Sequence, residues 1–192
     1  MATALSADTQ VGVIVTHHPA AAAVFRHRRV DFCCNGRQTL ATACAALSLD
    51  PEALLTEVLE AEARAEGGPA PRDWTQAPLG DLCAHIIATH HSYLRVELPR
   101  LALFIGKIAG VHGDEHPELA EIGRTFAALT ADLEGHMAKE EQILFPMITS
   151  METAAELNLS LPESHCGSVR NPIGQMEHEH EVAGGALRRM SE

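Results

Sequence analysis

His136 and Glu140 stand four residues apart on one helical stripe, both metal-ligating side chains where apolar ones belong. Taken every third and fourth residue, 122–147 reads Ile122, Phe126, Leu129, Leu133, His136, Glu140, Ile143, Met147. That spacing is the seam of a packed helix. The same reading of 87–108 gives Ile87, His91, Leu94, Leu98, Leu101, Ile105, Ile108, and of 173–190 gives Ile173, Met176, His180, Ala183, Leu187, Met190. Three stripes each turn at least one ligand-type side chain inward. His136 and Glu140 share a helix face, about 5–6 Å apart at Cβ, so one ion can take both. His91 and His180 are placed to add ligands from neighbouring helices. Nitrogen and carboxylate donors suit iron, manganese or zinc better than calcium or copper(I). A carboxylate can also bridge two ions. The plainer account makes each histidine a core residue bonded to a backbone carbonyl, and for any one alone that account suffices. All four together favour a metal in the bundle core, because an unpartnered seam carboxylate costs several kcal/mol.

These stripes require long helices. The pattern predicts helices from about Leu79 to Ala109, from about Glu118 to Met151, and from the Asn171-Pro172 start to about Met190. Gly110–Pro117 and a Pro/Gly/Ser-containing stretch around 158–172 separate them. Upstream, 11–66 reads as short helices. Ala20–Arg28 is one, and Asp50-Pro51-Glu52 opens another carrying Leu54, Leu55, Val58 and Leu59. Gly67-Gly68-Pro69-Ala70-Pro71 breaks any helix. The expected organisation is all-α: an N-terminal domain over 1–66, a linker over 67–75, and an up-down helical bundle over 76–192. The one strand-like run is Val11–Val15.

At 192 residues the chain suits one ordinary domain or one with a small extension. Its formal charge of −12 argues against nucleic-acid partners, because an acidic chain repels phosphate backbones. No apolar run approaches the roughly 20 residues of a membrane span. The N-terminus has no signal-peptide pattern, so a cytoplasmic location is expected. Five cysteines, with Cys33 and Cys34 adjacent and no CxxC, do not make a secreted disulfide framework. The Cys33-Cys34 pair sits at an Asn-Gly bend near a helix start, where a thiol gains reactivity. It reads as a redox or metal-handling pair, or as one buried cysteine with an incidental neighbour. Cys44 and Cys83 read as core residues. His85 and His90 lie off the stripe. The loop groups His112, Asp114, Glu115, His116 and His165, Cys166 read as solvated, and His178 points away from the His180 face. Glu177 and Glu179 read as surface charge, with a role orienting a histidine as the alternative.

Two motifs then carry a resemblance. Asp31-Phe32-Cys33-Cys34-Asn35-Gly36-Arg37-Gln38-Thr39-Leu40 resembles the N-terminal domain of the iron–sulfur cluster repair proteins, the repair-of-iron-centres family of ScdA/YtfE type. The segment from His136 to Met147 resembles that family's hemerythrin-like core signature, and Met176-Glu177-His178-Glu179-His180-Glu181 its third ligand segment. The resemblance implies a cytoplasmic non-haem di-iron protein that helps restore clusters damaged by nitric oxide or peroxide. It implies His91, His136 and His180 as iron ligands, Glu140 as a bridging carboxylate, and Cys33 and Cys34 as the family's thiol pair. The implied role is a non-enzymatic iron donor whose partners are damaged iron–sulfur proteins. A hemerythrin-like sensor of dioxygen or nitric oxide is the alternative, and a metal-free structural protein a third. The family's bundle has a fourth helix with a second H-x-x-x-E, for which this sequence has no counterpart. Three of four bundle helices are therefore expected, with one ion or two. An open side baring Leu94, Leu98, Leu129 and Leu133 would favour a homodimer.

Overall fold

The structure, a computed structural model, describes residues 5–33, 35–65, 72–161 and 168–191. They fall into two units, Met1–Thr75 and Gln76–Glu192. In the first, the strand-like run Val11–Val15 is helical: α1 (Val11–His17) buries Val11 and Ile14 completely, three residues apart on one face. Burial of that face overrides the β-propensity of branched residues. Helices α2 (Ala21–His27), α3 (Leu40–Leu47) and α4 (Pro51–Ala65) complete the unit. Its core holds Phe25, Leu40, Cys44 and Val58. Thr39 caps α3 by accepting the N–H of Thr42 (3.2 Å), and Asp50 opens α4 by accepting the N–H of Glu52 (3.0 Å). The loop preceding α3 lies against α1 through two glycines. Gly12 N–H donates to Gly36 O at 2.9 Å, and a Cβ on Gly36 would come within 2.8 Å of the Phe32 carbonyl. Residues 72–75 group with this unit, and 66–71 lie outside the described residues.

The second unit consists, among its described residues, of three helical rods. The first runs through α5 (Leu79–Ile86), a π-helical turn (Ile87–His91) and α6 (Ser92–His112). The second runs through α7 (Glu118–Lys139), a π-helical turn (Glu140–Leu144) and α8 (Phe145–Glu156). The third is α9 (Arg170–Ser191). α6 packs on α7 while α5 packs on α8, so the first two rods run antiparallel; α9 packs on α7. The carboxylate of Glu152 in α8 accepts the N–H of Leu79 and, at 2.8 Å, that of Gly80. It thereby caps the start of the first rod, where an anion meets the positive end of the helix dipole. Cys83, Leu144, Phe145 and Met176 form a core cluster drawn from all three rods.

The π turns alter the expected seams. In the second rod the wider turn rotates Ile143 outward to 51% exposure and buries Leu144 in its place. Leu98 and Leu129, expected to meet water, are buried, each 4% exposed. The exposed apolar side chains of α6 include Val96, Leu103, Phe104 and Val111, and also Leu101 and Ile108, which the stripe turned inward. In α9 the expected Leu187 is exposed, and the small residues Gly184 and Ala186 are buried. The helix begins earlier than Asn171, at Arg170, whose N–H reaches the Ser168 hydroxyl at 3.3 Å. The largest fully buried side chain of the first unit is Phe25, at 0% exposure. Phe25→Ala should cost about 3–5 kcal/mol of that unit's stability, measurable by denaturant titration.

Candidate metal centre

Both π turns place a ligand-type residue. His91 closes the first and Glu140 opens the second. Single π turns inside α-helices add roughly one residue to a turn and recur at functional sites. In the first, both the N–H and the hydroxyl of Ser92 donate to the Ile87 carbonyl, the latter at 2.9 Å. Two residues past the end of the second stands Pro146, which has no N–H to return to the turn. His91, His136 and Glu140 are the buried polar residues among those described, at 3%, 5% and 9% exposure.

Their polar atoms converge. His91 Nε2 lies 3.0 Å from Glu140 Oε2, and His136 Nε2 lies 3.5 Å from the same oxygen. His180 Nε2 is 3.0 Å from His136 Nε2. One ligand atom each from His136, Glu140 and His180 lies within 4.8 Å of the others. His91 adjoins this trio across Glu140, so the carboxylate sits between imidazoles from different rods. His180 is exposed and forms the outer edge.

The outer nitrogens of the two buried imidazoles are committed elsewhere. His91 donates Nδ1–H to Glu141 Oε1 at 2.7 Å, and Arg95 donates to the same oxygen at 2.6 Å. His136 donates Nδ1–H to Glu179 Oε2 at 2.9 Å, while Lys139 and Gln175 donate to Glu179 Oε1. An ionised carboxylate only accepts, so each Nδ1 carries a proton, and the tautomer with its single proton there presents a lone pair at Nε2. Both lone pairs face the same Glu140 oxygen, and that of His136 also faces the His180 nitrogen. A proton can serve any one of these contacts, whereas a single cation serves the trio. Nitrogen and carboxylate donors of this kind fit a borderline divalent ion such as iron. Phe145 stacks on the His91 ring, with centroids 5.9 Å apart and planes 14° apart.

The electrostatics agree with this assignment of protons. The His91 hydrogen bond, helped by Arg95, holds the Glu141 carboxyl below the usual range against the opposing pull of burial. Burial pushes the Glu179 carboxyl up, but bonds from Lys139, Gln175 and His136 outweigh it and hold it at about 2. Burial and the neighbouring His136 push the His180 imidazolium down, which favours its neutral, ligating form. Burial pushes the Cys83 thiol up, as does the charge of nearby Glu152 and Glu140.

The four residues read from the stripes are thus neighbours. Of the two carboxylates read as surface charge, Glu177 is exposed, but Glu179 turns inward to His136. Glu141 and Arg95 were missed. The available signal was the doublet Glu140-Glu141, with Arg95 one turn beyond His91. His116 bonds Glu118 at 2.9 Å, and the 112–116 loop brings no cluster of three ligand atoms together among the described residues. His85 and His90 meet edge-on, with centroids 6.0 Å apart. His178 is exposed, with Nδ1 3.9 Å from Glu181. In the first unit the exposed Cys33 thiol donates to Asp31 Oδ1 at 3.5 Å. Cys34, His165 and Cys166 lie outside the described residues.

A carboxyl lowered from 4.5 to about 2 stabilises the fold above its unfolded value and loses that contribution as pH falls through this window. Glu179→Gln should therefore flatten the acid limb of metal-free stability between those two pH values. Circular dichroism melts at stepped pH read this directly, and an unchanged limb would refute the bonding assigned to Glu179.

Comparison with known proteins adds a family context. Residues 7–62 match the ScdA_N domain, described as a domain of unknown function (DUF542), and residues 84–192 match the hemerythrin HHE cation binding domain. Two curated relatives, from Shigella boydii serotype 4 and Escherichia coli O157:H7, are each called iron–sulfur cluster repair protein YtfE. Each is 37% identical to the chain over 181 residues, covering 94% of the chain and 74% of the relative. No helix among the described residues is long and apolar enough to cross a membrane.

Proposed function

From the premise that this chain belongs to the iron–sulfur cluster repair family, joining a ScdA-type domain to a hemerythrin domain, we propose that it donates non-haem iron to damaged clusters. Its iron ligands are His91, His136, Glu140 and His180. The observation that carries the reading is the convergence of lone pairs from His136, Glu140 and His180 on one point, with Glu140 shared by His91. Iron there supplies a Lewis acid that can be bound and released.

The residues divide the work. Glu179 and Glu141 orient the two buried rings so that each offers Nε2 inward. Glu140, whose Oε2 faces both His91 and His136, would serve as the bridging carboxylate. His180 is the exposed member, so it is the ligand that water reaches and the one whose departure opens the site. A donor needs such a labile edge. Cys33 and Cys34 act as the thiols that assist transfer, and the exposure of Cys33 leaves it accessible to a client. The clients are iron–sulfur proteins damaged by nitrosative or oxidative stress, and the setting is the cytoplasm. Association of two copies belongs to the same reading, supported by the apolar side chains bared on α6, with Leu103 77% exposed.

Purified protein should contain iron, and iron should raise its melting temperature, since a ligand bound only to the folded state stabilises it. His136→Ala should lose most of that iron, whereas His112→Ala should keep it. Equal iron content in the two variants would refute the site. Glu140→Leu should bind less iron yet melt higher than wild type when both are metal-free, because an unpaired buried carboxylate is gone. Cys33→Ser/Cys34→Ser should retain iron and lose repair of a nitric-oxide-treated cluster protein. Light scattering should give the mass of a dimer, and a monomer would remove the second copy from the reading.

A further inference from the structure

We propose that Glu141, held in place by Arg95, is the positioning residue that sets the ring of His91 for metal binding. This rests on the reading of His91 as an iron ligand and assigns a function to two residues outside the ligand set. His91 has the lowest exposure of any polar residue described, 3%, and its ring is fixed on three sides. Phe145 stacks on its face. Glu140 meets Nε2, and Glu141 takes the proton of Nδ1. Both carboxylates can accept a ring proton, and Glu141, at 2.7 Å against 3.0 Å for Glu140, is the one that holds it on Nδ1. Without an acceptor at Nδ1, the ring can take the tautomer that puts its proton on Nε2 and turns its lone pair away from Glu140.

Arg95 explains how Glu141 can hold this position. Two adjacent carboxylates, Glu140 and Glu141, would repel each other beside the same imidazole. Arg95 lies one helical turn beyond His91 on the same rod, and donates to the same Glu141 oxygen as His91 does. The three side chains close a link across two rods at the level of both π turns. The arrangement around His136 is parallel: Glu179 takes its Nδ1 proton and is itself held by Lys139. Carboxylates placed behind a ligating histidine in this way fix its orientation, and their loss typically weakens metal binding about 10–100-fold.

The test compares wild type, Glu141→Gln, Glu141→Leu and Arg95→Ala by chelator competition for ferrous iron, with the optical and electron paramagnetic resonance spectra of each loaded protein. Glu141→Leu should weaken iron binding about 10–100-fold and change the spectrum. Glu141→Gln, which keeps an acceptor oxygen for Nδ1–H, should recover most of the affinity. Arg95→Ala should show a smaller loss in the same direction. Leucine and glutamine variants with wild-type affinity and spectra would overturn the proposal, as would a glutamine variant no better than leucine. A purely structural role would lower the metal-free melting temperature and leave affinity and spectrum unmoved. Should Glu141→Leu fail to fold, Arg95→Ala decides, because Arg95 is half-exposed; unchanged affinity and spectrum there overturn the assignment. Wild-type protein that takes up no iron would instead refute the metal reading itself, a result distinct from all of these.

Discussion

A carboxylate removed from water gives up hydration that only a positive charge or several donors can replace. Glu140 is buried at 9% exposure, and among the described residues no lysine or arginine is bonded to it. Its partners are imidazoles, two of which have their protons drawn outward by other carboxylates. The remaining structure can be understood from that deficit of positive charge. Arg95 and Lys139 lie behind the outer carboxylates rather than beside Glu140, so they balance the second ring of charge and leave the first to be balanced by an ion. The rods are brought to this point by apolar contacts among Cys83, Leu144, Phe145 and Met176, which take no part in the charge balance.

In the second rod the seam reading worked where the helix was regular, whereas in α6 and α9 the stripe residues Leu101, Ile108 and Leu187 are exposed. Phe126, Leu129, His136 and Glu140 lie on the buried face as a period near 3.6 requires. It failed at the next seam position, Ile143, because nothing in the residue types there distinguishes a π turn from an α turn. Pro146 marks the place only in hindsight. Val11–Val15 failed for a different reason: branched residues favour strands, but three-residue spacing of Val11 and Ile14 suits a helix that can bury both. The start of α4 was legible because Asp50 and Pro51 are local signals whose effect does not depend on distant packing.

The ligand residues were legible and their supports were not. A histidine on an apolar stripe is conspicuous, since position and polarity disagree. A glutamate next to another glutamate on a helix edge is ordinary surface composition. Glu141 and Glu179 acquire their meaning only when a second rod brings an imidazole within 3 Å, which is a tertiary fact. The same holds for Glu152, whose capping of the first rod spans 73 residues of sequence.

The two π turns have a consequence for how the bundle tolerates change. Each acts as a phase slip, dividing a rod into halves whose buried faces answer to different counts of residues. A single-residue deletion inside either turn would let it close as an ordinary α turn with both halves still in phase, whereas a deletion in the α-helical stretch on its outer side would rotate that half by about 100°. The half carrying α5 or α8 would then present its polar face to the core while α6 and α7 stayed packed as before. Outside the ligands His91 and Glu140, the two turns are therefore the places in these rods where one residue can be lost without rotating a packed face, and half of their ten side chains are exposed.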